Sequence, residues 1–437
     1  MVKLEFCKLS PIMILTLFTL ISILLFIDRG AFAAVLQKLE KKIHGGLGLS
    51  SSQAGLAGSL FALGVIISSP IASYLSQYIH PQYLISAGLF IWSGAVFLTF
   101  ISKHFLMLGV ARLLVGFGEG FFICLAPPFI IDCAPVEKRT KWIGIYYSAQ
   151  PLGMALGIVY GTQISNLFKG WHYPFIFETV VMIPFMLTLF LSYKDPKHYA
   201  KKEGEEREKF TTALRILFGN YLYLCLVIGY SAYGFTTGGL AFWTPYFVES
   251  FYHISGSIAT YSLGANTMLC GIIGTRLGSY ILSRIMKKYE DMKKNDQISN
   301  EKLECYRVEK SSWIMLTSIF IGLIITVLGL LFSSFLSKPG NFIVFFIGLV
   351  FGEFLFAITI APTAIAIMMS VPIHLRGHAN SISMFFMHSL GGLPSHSIIG
   401  AWFDNFGEYV GILLTFLWLI ISVVFWGIAW NASVIDI

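Results

Sequence analysis

Long apolar segments recur along the whole chain, and they constrain its fold more than any other feature. A transmembrane α-helix needs about 20 residues, and twelve segments reach that length. The chain is 56% hydrophobic and only 12% charged, whereas an ordinary soluble domain is about 25% charged. The sequence therefore predicts an all-α membrane protein with spans at 10–36, 52–76, 82–102, 105–131, 140–167, 173–193, 215–248, 256–284, 311–335, 341–371, 377–403 and 407–430.

Two strongly charged segments divide these spans. Residues 194–213 follow the sixth span and residues 285–310 follow the eighth, so both segments lie on the same side of the membrane. We predict an N-terminal six-helix bundle at 1–193, a charged cytosolic linker at 194–213, and a C-terminal six-helix bundle at 214–437. The second bundle would carry a cytosolic loop at 285–310.

Lysine and arginine are distributed unevenly between the two sides. If the N-terminus is inside, 21 of the 30 basic residues lie in inner segments and six in outer loops. Inner loops of membrane proteins are enriched in basic residues, so both termini are predicted to be cytosolic. This bias also explains the net charge of +7, and we expect no nucleic-acid partner. The choice between the plasma membrane and a lysosome-like or vacuole-like membrane stays open.

The first span contains an adjacent acid and base, Asp28 and Arg29. A charge at the bilayer centre costs about 2.5–3.5 kcal/mol on insertion scales. Neighbouring helical residues point about 100° apart, so each side chain needs a partner from another helix. The fourth span supplies two charged candidates, Arg112 and Glu119.

Depth in the membrane predicts how these residues pair. At about 1.5 Å per residue, Asp28 and Arg112 lie at similar depth and should meet. Glu119 lies about 10 Å deeper, so it must face water, a substrate or Arg29, or carry a proton. We interpret the four residues as a proton and ion-pair network that lines a cavity, because ionisable residues inside membranes usually mark transport pathways. The alternative is an ion-pair network that only joins two helices.

Motifs in five spans match one transporter family. They are D-R-G-A-F-A-A-V-L (28–36), A-R-L-L-V-G-F-G-E-G (111–120), Y-Y-S-A-Q-P-L-G-M-A-L-G (146–157), G-L-A-F-W-T-P-Y-F (239–247) and H-S-L-G-G-L-P-S-H-S-I-I-G-A-W-F-D (388–404). With six plus six predicted spans around a charged linker, the chain resembles the major facilitator superfamily. Within that superfamily it resembles the spinster group of lipid transporters.

The sequence departs from the family in two places. The charged stretch usual between spans 2 and 3 is replaced by S-Y-L-S-Q-Y-I-H-P-Q (73–82), so a latch built from those charges is missing or remade with neutral hydrogen bonds. The spinster group tends to carry an acid near Ala364, whereas the acid of span 10 is Glu353, about three helical turns away.

The second half offers further candidates. Glu353 occupies the place equivalent to Glu119, either as a second site or as a lone acid satisfied by backbone or water. His388 and His396 lie about two turns apart along one side of span 11 and could titrate near neutral pH, although their spacing suits no metal site. Candidate substrate-cavity residues are Gln150, Trp243, Tyr246 and Asn380, but aromatic clusters such as the one at 243–247 are also typical of interface belts.

Glycine and two lone charges complete the candidates. Arg276, near the inner end of span 8, is interpreted as a snorkelling or gate residue. Glu178 in span 6 has no partner that the sequence identifies. Close helix packing is predicted at two glycine stripes, Gly153, Gly157 and Gly161 in span 5 and Gly116 with Gly120 in span 4.

The family resemblance implies a function. We expect a secondary active transporter that works by alternating access, is linked to protons, and moves an anionic or zwitterionic lipid such as a lysophospholipid or sphingoid phosphate. The alternatives are a transporter of a small polar metabolite, a sugar or an organic anion, and a non-transporting receptor. No nucleophile, base and orienting group appear together, so an enzyme is not expected. We also expect no metal site, no cofactor other than the proton as coupling ion, and a monomer.

Overall fold

The structure is a computed structural model that describes residues 9–40, 46–49, 51–192, 210–254, 256–335 and 340–435. These residues are almost entirely helical, which confirms the predicted all-α class. Most of the predicted linker, residues 194–209, lies outside the described residues.

Six helices account for the first six predicted spans. Two of them begin at histidine caps, because the Nδ1 atoms of His80 and His104 each accept a backbone N–H, from Gln82 and Met107, at 3.3 Å. Such side chains satisfy N–H groups that the first helical turn leaves unpaired. The six helices are α1 (Pro11–Glu40), α2 (Ser51–Leu75), α3 (Pro81–Phe100), α4 (Phe105–Cys133), α5 (Arg139–Leu167) and α6 (Tyr173–Leu191).

Ten helices make up the rest of the described chain. Breaks at Asn220, Thr359 and Trp418, and a π-helical segment at Met387–Gly392, divide four of the predicted spans. The ten are α7 (Phe210–Gly219), α8 (Tyr221–Tyr252), α9 (Gly256–Lys294), α10 (Asn300–Ser333), α11 (Gly340–Ile358), α12 (Ile360–Met369), α13 (Arg376–Phe386), α14 (Leu393–Phe406), α15 (Glu408–Leu417) and α16 (Leu419–Ile435).

The segment predicted as a loop at 285–310 differs from that expectation. Helix α9 continues to Lys294 and α10 begins at Asn300, so most of the segment is helical. Its Lys, Glu and Met residues are good helix formers. Ser299 caps α10, because its Oγ accepts the backbone N–H of Lys302 at 3.1 Å.

Within the described residues, nine helical stretches are long and apolar enough to cross a membrane. The predicted spans at 140–167, 256–284 and 377–403 are helical over all or nearly all of their length, but they are not among these nine stretches. The total of twelve spans therefore stays a prediction.

The described residues divide into two compact units. The described residues of Met1–Pro135, Ala149–Ala213 and Asn380–Phe385 form the first unit, and those of Val136–Ser148, Leu214–Ala379 and Phe386–Ile437 form the second. In the first unit α4 packs between α2 and α3, while α6 packs on α3 and α1. In the second unit α10 packs on α11 and α16, and α8 packs on α16.

Both predicted glycine stripes are packing contacts. A Cβ at Gly157 would fall on the backbone carbonyl of Ile27, and one at Gly161 would lie 2.6 Å from the Cα of Ala31. Real Cβ atoms do not approach other atoms this closely, so α5 lies against α1 only because it carries glycine there. Gly116 and Gly120 bring α4 against Phe61 and Ser68 of α2 in the same way.

Candidate functional site

Two ion pairs join α1 to α4 in the first unit. Arg112 Nη1 donates to Asp28 Oδ2 at 3.0 Å and to Oδ1 at 3.3 Å, and Nη2 also donates to Oδ1 at 3.3 Å. Arg29 Nη2 donates to Glu119 Oε1 at 2.6 Å. The predicted pairing of Asp28 with Arg112 is thus confirmed, and of the four surroundings left open for Glu119 the structure shows Arg29.

Helical geometry explains this crossed arrangement. Arg112 and Glu119 are seven residues apart and share one face of α4, about two turns from each other. Asp28 and Arg29 are adjacent on α1 and point in different directions. Asp28 therefore meets Arg112 at its own depth, while the long side chain of Arg29 spans the difference in depth to Glu119.

The Asp28–Arg112 pair is fully enclosed. The two side chains are 1% and 2% exposed. The guanidinium lies over the rings of Phe32 and Phe175, at 4.6 and 5.2 Å from their centroids, and Nη2 donates to Thr99 Oγ1 at 2.8 Å. Removal of one partner of such a buried pair leaves the other charge unpaired. This typically lowers the stability of the folded protein by about 3–5 kcal/mol.

The Arg29–Glu119 pair is more open and less satisfied. The Arg29 side chain is 24% exposed and lies between the rings of Phe26 and Phe61, 4.4 and 4.5 Å from their centroids. Glu119 is buried, and its Oε2 atom has no hydrogen-bond partner among the described residues. This carboxylate therefore keeps one oxygen that could take up a proton, beside a cation that solvent can reach.

Glu178 of α6 belongs to the same cluster, which the sequence did not indicate. It is 1% exposed, and the charged groups that act on it are Asp28 and Arg112. Neither of its carboxyl oxygens accepts a hydrogen bond from a donor among the described residues. The only signal in the sequence was an acid inside an otherwise apolar span, which marks a functional residue by default but names no partner.

Among the predicted cavity residues, Asn380 and Trp243 use their donors on backbone carbonyls. Asn380 Nδ2 donates to the carbonyls of Cys124 at 2.7 Å and Ile123 at 3.3 Å. Trp243 Nε1 donates to the carbonyl of His396 at 3.0 Å. These bonds indicate packing roles, and a role in substrate binding stays a prediction for both residues.

The other two predicted cavity residues, Gln150 and Tyr246, differ in their exposure. Gln150 is half-buried on α5. Tyr246 is exposed on α8 and stacks on Phe403 with a centroid distance of 6.1 Å. Their roles in substrate binding likewise stay predictions.

A π-helical segment, Met387–Gly392, interrupts the α-helix assumed for His388 and His396. His388 lies in this segment, whereas His396 lies on α14. That the two histidines share one side of the span stays a prediction. The His396 ring meets the Phe242 ring edge-on at 4.7 Å, and a proton role for either histidine stays a prediction.

Glu353 accepts hydrogen bonds from two side chains of α9, and its role as a second site stays a prediction. Its Oε2 accepts from Asn266 Nδ2 at 2.7 Å and from Thr267 Oγ1 at 3.0 Å. The same helices α9 and α11 line an open apolar groove with a volume of about 590 Å³. Its lining includes Asn266, Leu269, Cys270, Ile273, Val350 and Phe354. Glu353 is linked to this groove through its hydrogen bond with Asn266.

A charged cluster in the second unit surrounds Glu304 of α10. Glu304 Oε1 forms an ion pair with Arg376 Nη2 at 2.7 Å and accepts a hydrogen bond from Arg139 Nη1 at 3.3 Å. Arg307 Nη2 donates to Glu290 Oε1 at 2.9 Å. Burial raises the pKa of the Glu290 carboxyl above its ordinary value, although the Arg307 guanidinium acts in the opposite direction. The sequence showed these charges but not their partners.

Neutral hydrogen bonds replace one of the charges missing at 73–82. Gln82 Nε2 donates to the carbonyl of Leu189 at 2.7 Å and to Ser192 Oγ at 3.0 Å, which ties α3 to the end of α6. Arg276 Nε donates to Ser148 Oγ at 2.9 Å, and its role as a snorkelling or gate residue stays a prediction.

Comparison with known proteins agrees with this geometry. A family model described as "Major Facilitator Superfamily" matches residues 18–396. The "Probable sphingolipid transporter spinster homolog 1" of Arabidopsis thaliana is 29% identical over 475 aligned positions, which cover 98% of this chain and 90% of that protein.

Two solved structures share the fold. A major facilitator superfamily transporter, FucP, in the outward conformation aligns with a TM-score of 0.72 and 14% identity, covering 96% of this chain and 99% of that chain. A bacterial homolog of the human lysosomal transporter spinster aligns with a TM-score of 0.64 and 19% identity, covering 98% and 99%.

The family match settles the broad class of the protein. It is a multi-pass integral membrane protein and a transporter, and the expectation that it is not an enzyme agrees with the family and its relatives. The predicted resemblance to the spinster group is confirmed by the relatives it matches. The chain therefore belongs to the major facilitator superfamily, and within it is similar to the spinster transporters.

Proposed function

We propose that this protein is a proton-linked transporter of a single-tailed amphipathic lipid, working by alternating access. The substrate class is a lipid with a compact anionic or zwitterionic head, such as a lysophospholipid or sphingoid phosphate. The observation that carries the proposal is the Arg29–Glu119 pair, in which a partly exposed cation faces a carboxylate with one unsatisfied oxygen.

The charges of this pair couple a proton to a substrate. While Glu119 is ionised, it neutralises Arg29. Protonation of Glu119 removes that negative charge and leaves the Arg29 guanidinium without its counter-ion. A phosphate headgroup can then take the place of the carboxylate, since arginine binds both groups through the same planar set of donors. Proton uptake and headgroup binding would therefore favour each other.

The polar side chains available favour a lipid over a sugar. A sugar site needs several well-placed polar groups around the hydroxyls. The evident amides of the spans are few, and two of them are engaged, since Asn266 donates to Glu353 and Asn380 donates to backbone carbonyls. The similarity to proteins named as sphingolipid transporters supports the same choice.

Reconstituted protein tests the proposal. Purified protein in proteoliposomes should move a lysophospholipid or sphingosine phosphate faster than glucose or lactate, and an imposed pH gradient should change the lipid rate. Arg29→Ala should remove most of this activity, while Arg284→Ala at an exposed site on α9 serves as the matched control. Transport of glucose or lactate without movement of lipid would favour the small polar metabolite instead and overturn the proposal.

A further inference from the structure

The ionisable residues around α1 and α4 do not balance. Two bases, Arg29 and Arg112, lie among three acids, Asp28, Glu119 and Glu178. Each arginine forms an ion pair with one acid, and the acid left over is Glu178. All three carboxyl groups are buried, so water does little to stabilise an uncompensated negative charge here.

Within the part of the chain that the structure describes, the charged groups around Glu178 are another acid, Asp28, and the arginine that Asp28 already binds, Arg112. Glu178 lies on the second turn of α6, with Asp28 facing it from α1, Arg112 from α4, and the phenol of Tyr160 from α5. The Nη groups of Arg112 are already used, on Asp28 and on Thr99. The Tyr160 hydroxyl donates elsewhere, to the carbonyl of Pro174 at 2.7 Å.

Two buried carboxylates that share one cation cannot both stay ionised at low cost. Burial disfavours the charged form of each acid, and the negative charge of one disfavours ionisation of the other. Protonation of one member removes the repulsion and supplies an O–H donor for the other. Since Asp28 is held by three hydrogen bonds from Arg112, Glu178 is the member that takes the proton.

We propose that Glu178 holds a proton at neutral pH and shares it with Asp28, so that the two carboxyl groups form a proton-binding site separate from Glu119. Loss of this proton would place a second negative charge beside Arg112 and make Glu178 compete with Asp28 for it. The contact between α1 and α4 would then weaken. A role of this proton in transport rests on the proposed function, whereas its presence on Glu178 does not.

Infrared spectroscopy of the purified full-length protein tests the site without any substrate. The difference spectrum between wild type and Glu178→Gln at pH 7 should contain the C=O band of one protonated carboxylic acid. The spectrum of Glu119→Gln should keep this band, which separates the two acids. Bands of an ionised carboxylate in the wild type minus Glu178→Gln difference would show that Glu178 is charged and would overturn the proposal.

A second variant tests the shared proton directly and does not require Glu178→Gln to fold. In Asp28→Asn the competing carboxylate is gone, so Arg112 becomes available to Glu178. We expect Glu178 to ionise and the carboxylic acid band to disappear, although the residue itself is unchanged. A band of unaltered intensity in Asp28→Asn would contradict the shared site. Neither spectrum depends on transport, so a failure of the lipid assay would leave this result intact.

Discussion

Arg29 Nη2 and Glu119 Oε1 lie 2.6 Å apart, yet the second oxygen of the same carboxylate is buried without a hydrogen-bond partner among the described residues. A buried polar atom without a partner normally costs about 1–3 kcal/mol. Such a cost is expected where function requires the group to bind something else, and a proton on Oε2 would remove the negative charge of this buried carboxylate.

Neutralising Glu119 should flatten the pH dependence of transport. Glu119→Gln keeps the shape of the side chain but can neither gain nor lose a proton, so the rate should vary less with pH while substrate still binds. The measurement is lipid uptake into proteoliposomes across a pH series. Glu249→Gln, at an exposed position of α8, is the control and should keep the wild-type profile. An unchanged profile in Glu119→Gln would assign the residue a structural role.

Asp28 and Arg112 should be strongly coupled in a double-mutant cycle. Arg112→Gln leaves Asp28 as an unpaired buried charge and should cost about 3–5 kcal/mol of stability. Asp28→Asn should cost less, because Glu178 becomes the counter-ion of Arg112. The double variant should lose less than the sum, by about 0.5–3 kcal/mol. Thermal unfolding in detergent measures the cycle. Asp28→Asn combined with Arg284→Gln, a pair in different units, should be additive, and additivity of the Asp28–Arg112 cycle would contradict their interaction.

Replacement of Gly157 even by alanine should destabilise the protein. The Cβ of Gly157→Ala would meet backbone atoms of Ile27. Backbone atoms cannot move aside as the end of a flexible side chain can. Overpacking of this kind typically costs about 1–3 kcal/mol. The control is Gly94→Ala on α3, where a Cβ meets nothing within 4 Å and alanine should stabilise the helix slightly. Equal melting temperatures for the two variants would show that α1 and α5 can separate without cost.

The stability of the second unit should depend on pH through Glu290. Because burial raises its pKa in the folded protein, the folded state binds more protons than the unfolded state between the ordinary and the raised values. The contribution to stability is therefore full below the ordinary pKa and is lost as pH rises through the folded pKa. Melting temperatures measured across this range should fall less steeply with pH in Glu290→Gln than in wild type. Parallel curves would exclude Glu290 as a source of the dependence.

Labelling of single cysteines should test the predicted orientation. In a background without the native cysteines, Glu301→Cys near the start of α10 should react with an impermeant thiol reagent only from the cytosolic face. Lys103→Cys, between α3 and α4, should react only from the opposite face. Both positions are exposed, so burial does not limit either reaction. Labelling of Glu301→Cys by reagent added outside sealed cells would show that the predicted orientation is inverted.

Features that depend on composition along one helix could be predicted from the sequence alone. The apolar spans, the need of Asp28 and Arg29 for partners on another helix, and the equal depth of Asp28 and Arg112 all follow from the hydrophobic pattern and the rise per residue. The glycine stripe through Gly157 follows in the same way, because a helix without side chains on one face can be approached closely.

The tertiary structure decided which side chains meet across helices. The rotation and tilt of α6 place Glu178 beside Asp28, and those of α9 place Asn266 against Glu353. The π-helical segment Met387–Gly392, which contains His388, also has no counterpart in the predicted spans. Such contacts are set by the packing of several helices at once, because a small rotation of any helix redirects its side chains. The spacing of residues along one helix therefore determined the depth of each charged group, and only the packed structure determined its partner.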